Sequence, residues 1–298
     1  MNKKLLEYLE KILPLTQAAG FVLADEKEIP YGVQLKFAKA DNKIPLNIYF
    51  STKKGINPVL GGSAKNPLRA QLQQVLVTRE SELIHSWQIW CGSDESGKGD
   101  FFGPLVVAAF VAQKDELPQL LATGVKDSKK ITDKNIEQIA KKLYGKFNNR
   151  IKVLVLNPLK YNQLYNKFRQ QGKKLNELLA WMHGRLIVDL HKEHQFAGAV
   201  VDKFASNRNL MESLQALQQI KVKNVVRAEQ DPAVAAASVI ARYHFLQNMQ
   251  MLQKKYQMKL PKGATNNVIN AARVFSQKYG KNRLKEVAKI NFKTIQKV

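Results

Sequence analysis

Apolar and polar residues alternate along residues 32–62, and this pattern predicts a small antiparallel sheet. Turn residues interrupt the alternation at ADNK and TKKGINP. Leucines and isoleucines at helical spacing predict a helix before residue 22, and PLRAQLQQVLVT predicts another after the strands. A helix–strands–helix domain is therefore expected over residues 1–85, ending near the polar stretch RESELIHS. The alternating apolar residues are Leu35, Phe37, Leu46, Ile48 and Phe50.

After residue 85 the pattern changes to apolar strands that alternate with helices. WQIWCGSDE, LVVAAFVA, IKVLVLN and AGAVVDKF are typical of strands. TDKNIEQIAKKLYGKF, NELLAWMHGRLIVDLHKEH and AVAAASVIARYHFLQNMQMLQKKY are typical of helices. Such alternation predicts a mixed α/β domain over residues 86–298, preceded by the small α+β domain.

The chain is strongly basic, which bears on its partner. Its 298 residues include 48 Lys and Arg against 24 Asp and Glu, a formal net charge of +24. This charge predicts a polyanionic partner, either nucleic acid or an anionic membrane surface. No apolar run approaches the ~18 residues that a membrane span needs, and Glu7 and Glu10 interrupt the apolar start, against a signal peptide. We therefore expect a cytoplasmic nucleic-acid protein.

Cysteine and histidine usage restricts the kind of metal site. Cys91 is the single cysteine, and the five histidines show no metal-ligand spacing. A metal ion would therefore have to be held by carboxylates.

Acidic residues are scarce in the second domain and follow its predicted strands. Asp94 and Glu95 end the first strand, Asp202 ends AGAVVD, and Glu229 and Asp231 precede the AVAAAS helix. Ligands bind at strand ends in α/β sheets, and converging carboxylates suit Mg²⁺ or Mn²⁺. Two such ions would support in-line phosphodiester cleavage. Taken singly, each acid also suits a solvated turn or a helix cap.

Five segments of this domain together closely resemble ribonuclease HIII, a family of the type 2 ribonuclease H group. They are GSDESGKGDFFGPLVVAA, GVKDSKKIT, LNELLAWMHGRL, VVDKF and AEQDPAVAAASVIAR, in the family's order. The resemblance implies an RNase H-like fold, preceded by a substrate-binding domain similar to the TATA-box-binding protein. It implies metal-dependent hydrolysis, with Mg²⁺ or Mn²⁺, of the RNA strand of an RNA–DNA hybrid duplex. We expect no membrane and no obligate protein partner.

The resemblance also assigns the four acids that act in catalysis and hold metal. They fall on Asp94, Glu95, Asp202 and Glu229, and two ions are expected when substrate is bound. The last assignment stays open, because the interval before AAAS is about one residue shorter than in the family and Asp231 lies close by. The AE context favours Glu229.

The GKG loop matches the family's glycine–basic–glycine loop, which implies contact with the 2′-hydroxyl of the nucleotide beside the cut. That hydroxyl distinguishes RNA from DNA, and glycine allows the backbone to approach it closely. DSKK and LPKGAT match segments that contact phosphates. The implied substrate-binding residues are Gly97, Lys98, Gly99, Ser128, Lys129, Lys262 and Thr265.

Four further residues, Tyr161, Asn162, Trp181 and His183, resemble family positions. We expect Trp181 in the core, and His183 to pack in its helix or beside a metal ligand without binding metal. In the first domain, Lys53, Lys54 and Lys65 flank strands and turns and suit contact with a nucleic-acid backbone.

Two other functions fit parts of the sequence. Cleavage at single ribonucleotides embedded in duplex DNA, as in ribonuclease HII, is disfavoured by the N-terminal extension, by the glutamate as fourth acid and by the lack of a tyrosine-containing C-terminal motif. A non-catalytic hybrid-binding protein need not retain all four acids.

Overall fold

A computed structural model describes the fold of residues 3–51, 55–63, 66–77, 83–125, 131–202, 207–215, 217, 220–225 and 228–298. The chain divides into two compact units, Met1–Glu82 and Leu83–Val298. We call them the N-terminal unit and the C-terminal unit. The division lies close to the boundary expected at residue 85.

The N-terminal unit is a four-stranded antiparallel sheet with two helices, in strand order β1-β2-β3-β4. Its elements are α1 (Lys3–Ala18), β1 (Val22–Ile29), β2 (Gly32–Lys39), β3 (Asn42–Ser51), β4 (Gly55–Leu60) and α2 (Leu68–Val77).

One face of this sheet is buried and the other is open. Alternate residues of β2 and β3, among them Leu35, Phe37 and Leu46, are fully buried in a core that includes residues of both helices. The predicted alternation is thereby confirmed. Strand β1 was not expected, because VLADEKEI has no alternation and its side chains are exposed along nearly the whole strand.

The C-terminal unit is built on a five-stranded mixed sheet in the order β7-β6-β5-β8-β9. Strands β5, β6 and β7 pair antiparallel, whereas β8 runs parallel to both β5 and β9. The strands are β5 (Ile89–Ser96), β6 (Leu105–Gln113), β7 (Ile151–Leu156), β8 (Gly198–Asp202) and β9 (Lys221–Val225).

Seven α-helices accompany this sheet in the described part of the chain. They are α3 (Leu117–Ala122), α4 (Asp133–Phe147), α5 (Pro158–Gln170), α6 (Leu175–His194), α7 (Asn207–Ser213), α8 (Pro232–Lys255) and α9 (Asn266–Tyr279). The strands and helices expected from the sequence are all present, whereas α3, α5, α7, α9 and β9 were not expected. Among the described helices, none combines the length and apolar character that crossing a membrane requires.

Both faces of the five-stranded sheet are covered. Val106, Ala108 and Phe110 of β6 pack into a core with residues of α4, α8 and α9. The intervening residues of β6, such as Val107 and Ala109, pack into a second core with residues of α6. A sheet buried on both faces has little room for polar side chains except at its strand ends.

Candidate active site

Strand β5 directs its two neighbouring acids to opposite faces of the sheet. Successive side chains of a strand alternate between faces. The partners of Asp94 and Glu95 on β6 accordingly belong to the two different cores. Asp94 accepts a hydrogen bond from Ser238 of α8. Glu95 lies on the other side, where its Oε2 is 3.4 Å from Nε2 of His183 of α6.

Asp202 lies at the same edge of the sheet as this pair. It is the last residue of β8, which runs parallel to β5, so both strands present their carboxyl ends there. Burial, the charge of Glu95 and, more weakly, the charge of Asp202 raise the pKa of Asp94 to about 7, against the opposing hydrogen bond from Ser238. The three carboxylates thus repel one another, as expected of a site that attracts a cation.

Glu95 is held as a carboxylate by two neighbours. Burial raises its pKa, but the hydrogen bond and charge of His183, together with Lys98, outweigh burial and hold the pKa below its ordinary value. Ser93 fixes the histidine: its Oγ donates to the carbonyl of Ala108 at 2.9 Å and lies 2.7 Å from Nδ1 of His183. His183 therefore acts on Glu95.

The fourth acid is either Glu229 or Asp231, and their surroundings differ. Glu229 is half-buried in the 3-10 turn Ala228–Gln230. The N–H of Ala228 donates to Oδ1 of Asp202 at 3.2 Å, which ties this turn to the strand-end acids. Asp231 is only 5% exposed and caps helix α8. Because its oxygens are already occupied by internal donors, the geometry favours Glu229 as the fourth carboxylate.

The acids fit a hard divalent cation, but they do not enclose one. In the described part of the chain, no three histidine, cysteine, aspartate or glutamate side chains converge closely enough to surround an ion. Burial and the neighbouring charges of Glu95 and Asp202 raise the pKa of Asp94, and a divalent cation would relieve the part that is due to like charges. Ions that keep several waters and bridge substrate phosphates need only one or two protein carboxylates each.

The GKG loop contains two glycines with different roles. Gly97 has a φ of +89°, and a Cβ there would lie 2.2 Å from the carbonyl oxygen of Pro104, so the fold itself requires glycine. A Cβ at Gly99 would meet no atom of the described residues within 4 Å. Lys98 lies between them, with Nζ 3.5 Å from Oε1 of Glu95.

The loop at residues 260–265 lies against the segment that follows GKG. The N–H of Gly263 donates to Oδ1 of Asp100 at 2.6 Å, and the N–H of Phe101 donates to the carbonyl of Gly263 at 2.9 Å. Lys262 and Thr265 are thereby brought near the GKG loop. Thr265 is the N-cap residue of α9, although its hydroxyl makes no capping bond.

Lys262 pairs with an acid in this structure. Its Nζ lies 2.7 Å from Oδ2 of Asp133, and Arg242 reaches the other oxygen of Asp133 at 3.4 Å. The expected phosphate contacts of Ser128 and Lys129, and the expected backbone contacts of Lys53, Lys54 and Lys65, lie outside the described residues.

The expectation that Trp181 lies in the core is wrong, since its side chain is 40% exposed on α6.

Tyr161 and Asn162 of α5 hold the C-terminal segment. Tyr161 donates to Oδ1 of Asn291 at 3.0 Å, and Nδ2 of Asn162 donates to the carbonyl of Ala288 at 2.8 Å. Sequence reasoning gave no role to Ser238, although a lone hydroxyl within the apolar run AVAAASVIA was a usable signal.

Comparisons with known proteins agree with this architecture. The family model described as Ribonuclease HII matches residues 91–295. Ribonuclease HIII of Protochlamydia amoebophila (strain UWE25) is 35% identical over 270 residues, which cover 86% of this chain and 88% of the relative. Ribonuclease HIII of Chlamydia pneumoniae is 42% identical over 211 residues, covering 70% of this chain and 69% of the relative.

Two solved structures are similar over nearly the whole chain. Bst-RNase HIII in complex with Mn²⁺ has a TM-score of 0.66 at 26% identity, covering 99% of this chain and 95% of that one. Aquifex aeolicus RNase H3 has a TM-score of 0.54 at 25% identity, covering 96% of each chain.

Proposed function

The chain belongs to the ribonuclease HIII family, and from this premise we propose how its residues act. It is a metal-dependent endoribonuclease that hydrolyses the RNA strand of RNA–DNA hybrids. The observation that supports this function at its own site is geometric: Asp94 and Asp202 lie at the carboxyl ends of the adjoining parallel strands β5 and β8, and the turn that carries Glu229 is hydrogen-bonded to Asp202.

The residues that hold the divalent metal are Asp94, Glu95, Asp202 and Glu229. The ion is Mg²⁺ or Mn²⁺, and two ions are held when substrate is bound. Such ions activate the attacking water and stabilise the charge that develops on the leaving oxygen. The protein supports its acids from both sides of the sheet: Ser238 donates to Asp94, whereas His183 keeps Glu95 ionised.

The GKG loop reads the ribose beside the cut. Gly97 fixes the turn, and Gly99 presents its backbone to open space, where a 2′-hydroxyl can approach. Lys98, Lys262 and Thr265 contact phosphates next to this position, together with Ser128 and Lys129. Phosphate contacts of this kind position the duplex without reading its sequence.

The N-terminal unit adds affinity for the hybrid. The open face of its sheet carries polar side chains, including exposed Lys36 and Tyr49, and the chain as a whole has a net charge of +24. A positively charged protein attracts the phosphate backbone independently of sequence. Catalysis is confined to the C-terminal unit.

The test is cleavage of two substrates by the full chain. A uniform RNA–DNA hybrid and a DNA duplex with one embedded ribonucleotide are each incubated with Mg²⁺, with Mn²⁺ and with a chelator. We expect metal-dependent cuts at many positions in the RNA strand of the hybrid. Cleavage of the single-ribonucleotide duplex alone would show ribonuclease HII-like action, and hybrid binding without cleavage under either metal would show a non-catalytic protein.

A matched control separates the site from the rest of the unit. Asp189 lies on α6 and pairs with Arg185 of the same helix at 2.8 Å, away from the strand-end acids in sequence and contacts. Asp189→Asn is expected to cleave like the wild type, whereas Glu229→Gln is expected to lose most activity. Equal activity of the two variants would remove Glu229 from the site.

A further inference from the structure

Residues 83–88 open the C-terminal unit, and we call them the leading segment. Nζ of Lys223 on β9 donates to the carbonyl of Ile84. The ring of Trp87 lies directly over Gly198 of β8, where a Cβ would be 2.4 Å from it. The N–H of Lys114 donates to the carbonyl of Gln88 at 2.9 Å. The leading segment therefore packs on β8, which carries Asp202, and on the neighbouring β9.

His85 is the most enclosed polar residue of this segment, with a side chain only 1% exposed. Its ring stacks on Trp87 at 4.3 Å and meets Trp90 edge-on at 4.7 Å. The N–H of Trp87 donates to Nδ1 of His85 at 3.3 Å. Because Nδ1 is an acceptor, the proton of the neutral ring resides on Nε2, which donates to Oδ2 of Asp231 at 3.2 Å.

The carboxylate of Asp231 accepts hydrogen bonds from four donors. Its Oδ1 accepts from Nε1 of Trp90 at 3.0 Å and from the N–H groups of Ala233 and Val234, which cap helix α8. Among the residues that the structure describes, His85 is the one donor to Oδ2. A buried carboxylate oxygen that loses its donor is costly, and neighbouring groups move to satisfy it.

The backbone of Asp231 also closes the turn that carries Glu229. Its N–H donates to the carbonyl of Ala228 at 2.9 Å, and the N–H of Ala228 donates to Asp202 at 3.2 Å. A continuous path of contacts thus runs from His85 through Asp231 to the turn, and from the turn to Asp202. Glu229 is the middle residue of the turn that this path holds.

We infer that His85 is a positioning residue for the divalent-metal site: by holding Asp231 it fixes the turn Ala228–Gln230 and so the placement of Glu229 relative to Asp202. This inference rests on the proposed role of Glu229. Loss of His85 leaves Oδ1 of Asp231 free to cap α8, so the helix is retained while the turn relaxes. Residues that orient metal ligands in this way commonly change metal affinity by about 10- to 100-fold when altered.

The first experiment measures Mn²⁺ affinity by calorimetry without substrate, and then kcat and KM on the hybrid. His85→Ala is expected to weaken Mn²⁺ binding by about tenfold and to lower kcat, with KM for the hybrid nearly unchanged. His85→Gln supplies an amide N–H to Asp231 and is expected to restore most of the affinity. His191→Ala is the matched control, because His191 packs edge-on against Phe196 at 4.8 Å in a different core.

A second variant keeps the test decisive if His85→Ala folds poorly. Asp231→Asn preserves the size of the side chain and an oxygen for the cap, but places an amide N–H against the N–H of His85. It is expected to weaken Mn²⁺ binding as His85→Ala does. Unchanged Mn²⁺ affinity in Asp231→Asn, or in a folded His85→Ala, would overturn the inference, as would a failure of His85→Gln to recover affinity.

Failure of the proposed function gives a different result. If the wild type cleaves no hybrid under any metal, the proposed function fails, and the Mn²⁺ affinities of the His85 variants still decide this inference. If Glu229→Gln binds Mn²⁺ like the wild type, Glu229 is not the fourth metal ligand, and the positioning role inferred for His85 is then also wrong.

Discussion

The two sheets of this chain differ in the number of faces they bury, and polar residues are distributed accordingly. The N-terminal sheet buries one face, so residues such as Gln34, Lys36 and Tyr49 spread over the other. The five-stranded sheet buries both faces, and its acids Asp94 and Asp202 lie at strand ends. In a sheet covered on both faces the polar functional residues lie together at the strand ends, whereas in a sheet with one open face they are spread over that face.

This difference predicts how single substitutions act. At the edge of the covered sheet a few buried groups depend on one another, so one change removes most of the function. On the open sheet each side chain contributes separately in water, where charged contacts are weak and screened by salt.

The largest effect is expected for Asp202→Asn, which removes one negative charge at the strand ends of the five-stranded sheet. The loss of a metal-holding carboxylate should lower kcat by about 10³-fold or more, while binding of the hybrid stays within about twofold because the basic surface is intact. Single-turnover cleavage and a gel-shift titration measure the two quantities. Near-normal turnover would mean that Asp202 does not hold metal.

Gly99→Ala is expected to have the next largest effect. Because no atom of the described part of the chain lies within 4 Å of the added Cβ, the melting temperature should match the wild type. The Cβ would push the ribose away from the acids, which should cost about 2–4 kcal/mol in the transition state, or ~10²–10³ in rate. Gly97→Ala is the contrasting variant, since its positive φ and its contact with Pro104 should lower stability itself. A wild-type cleavage rate for Gly99→Ala would show that the GKG loop is a turn that does not contact the ribose.

A smaller effect is expected for Lys36→Ala on the open face of the N-terminal sheet. Loss of one phosphate contact should weaken hybrid binding by about threefold at low salt, with kcat unchanged, and the defect should shrink as salt rises. Fluorescence anisotropy over a salt series measures it. A fall in kcat with unchanged affinity would contradict the division of labour between the two sheets.

The smallest effect concerns the pH dependence of stability and Lys289. This side chain is buried in the C-terminal unit and donates to the carbonyls of Gly103 at 2.7 Å and Pro104 at 3.2 Å. Burial lowers its pKa to about 7, against the charge of Asp100. Between that value and the ordinary 10.5, the unfolded chain binds the extra proton, so this lysine makes the free energy of unfolding rise with pH.

Lys289→Met removes that contribution. The melting temperature of the wild type relative to Lys289→Met should therefore increase from pH 6 to pH 9, by about 2–4 °C for each kcal/mol gained. Calorimetric scans across that range measure it, with Lys36→Met as the exposed counterpart on the open sheet. Parallel pH profiles for wild type and Lys289→Met would show that the buried amine keeps its ordinary protonation.

Most of the fold followed from apolar pattern, and the exceptions have physical causes. LVVAAFVA and AVAAASVIA are buried on all sides, so their sequences are unambiguous. Strand β1 and strand β9 lie at sheet edges and show no regular alternation of apolar and polar residues, so their sequences do not predict strands. Helix α9 buries Val268, Ile269, Ala272 and Phe275 at helical spacing, so the signal for it was present.

The strand-end positions of Asp94, Glu95 and Asp202 were predictable because each follows a strong apolar run. The pairing of Asp231 with His85 was not, since the two residues are 146 positions apart in sequence. Trp181 was misplaced because α6 is apolar around most of its circumference, so composition alone does not identify its outer side.

Because Asp94 and Glu95 point to opposite faces of the sheet, the surroundings of each acid can be changed by substitutions on a different helix. Ser238 reaches Asp94 from α8, and His183 reaches Glu95 from α6, with the full thickness of the sheet between the two helices. Substitutions at position 238 would change the pKa of Asp94, and substitutions at position 183 would change the pKa of Glu95. Because Asp94 and Glu95 are neighbours whose charges interact, variants that combine substitutions at the two positions should depart from additivity.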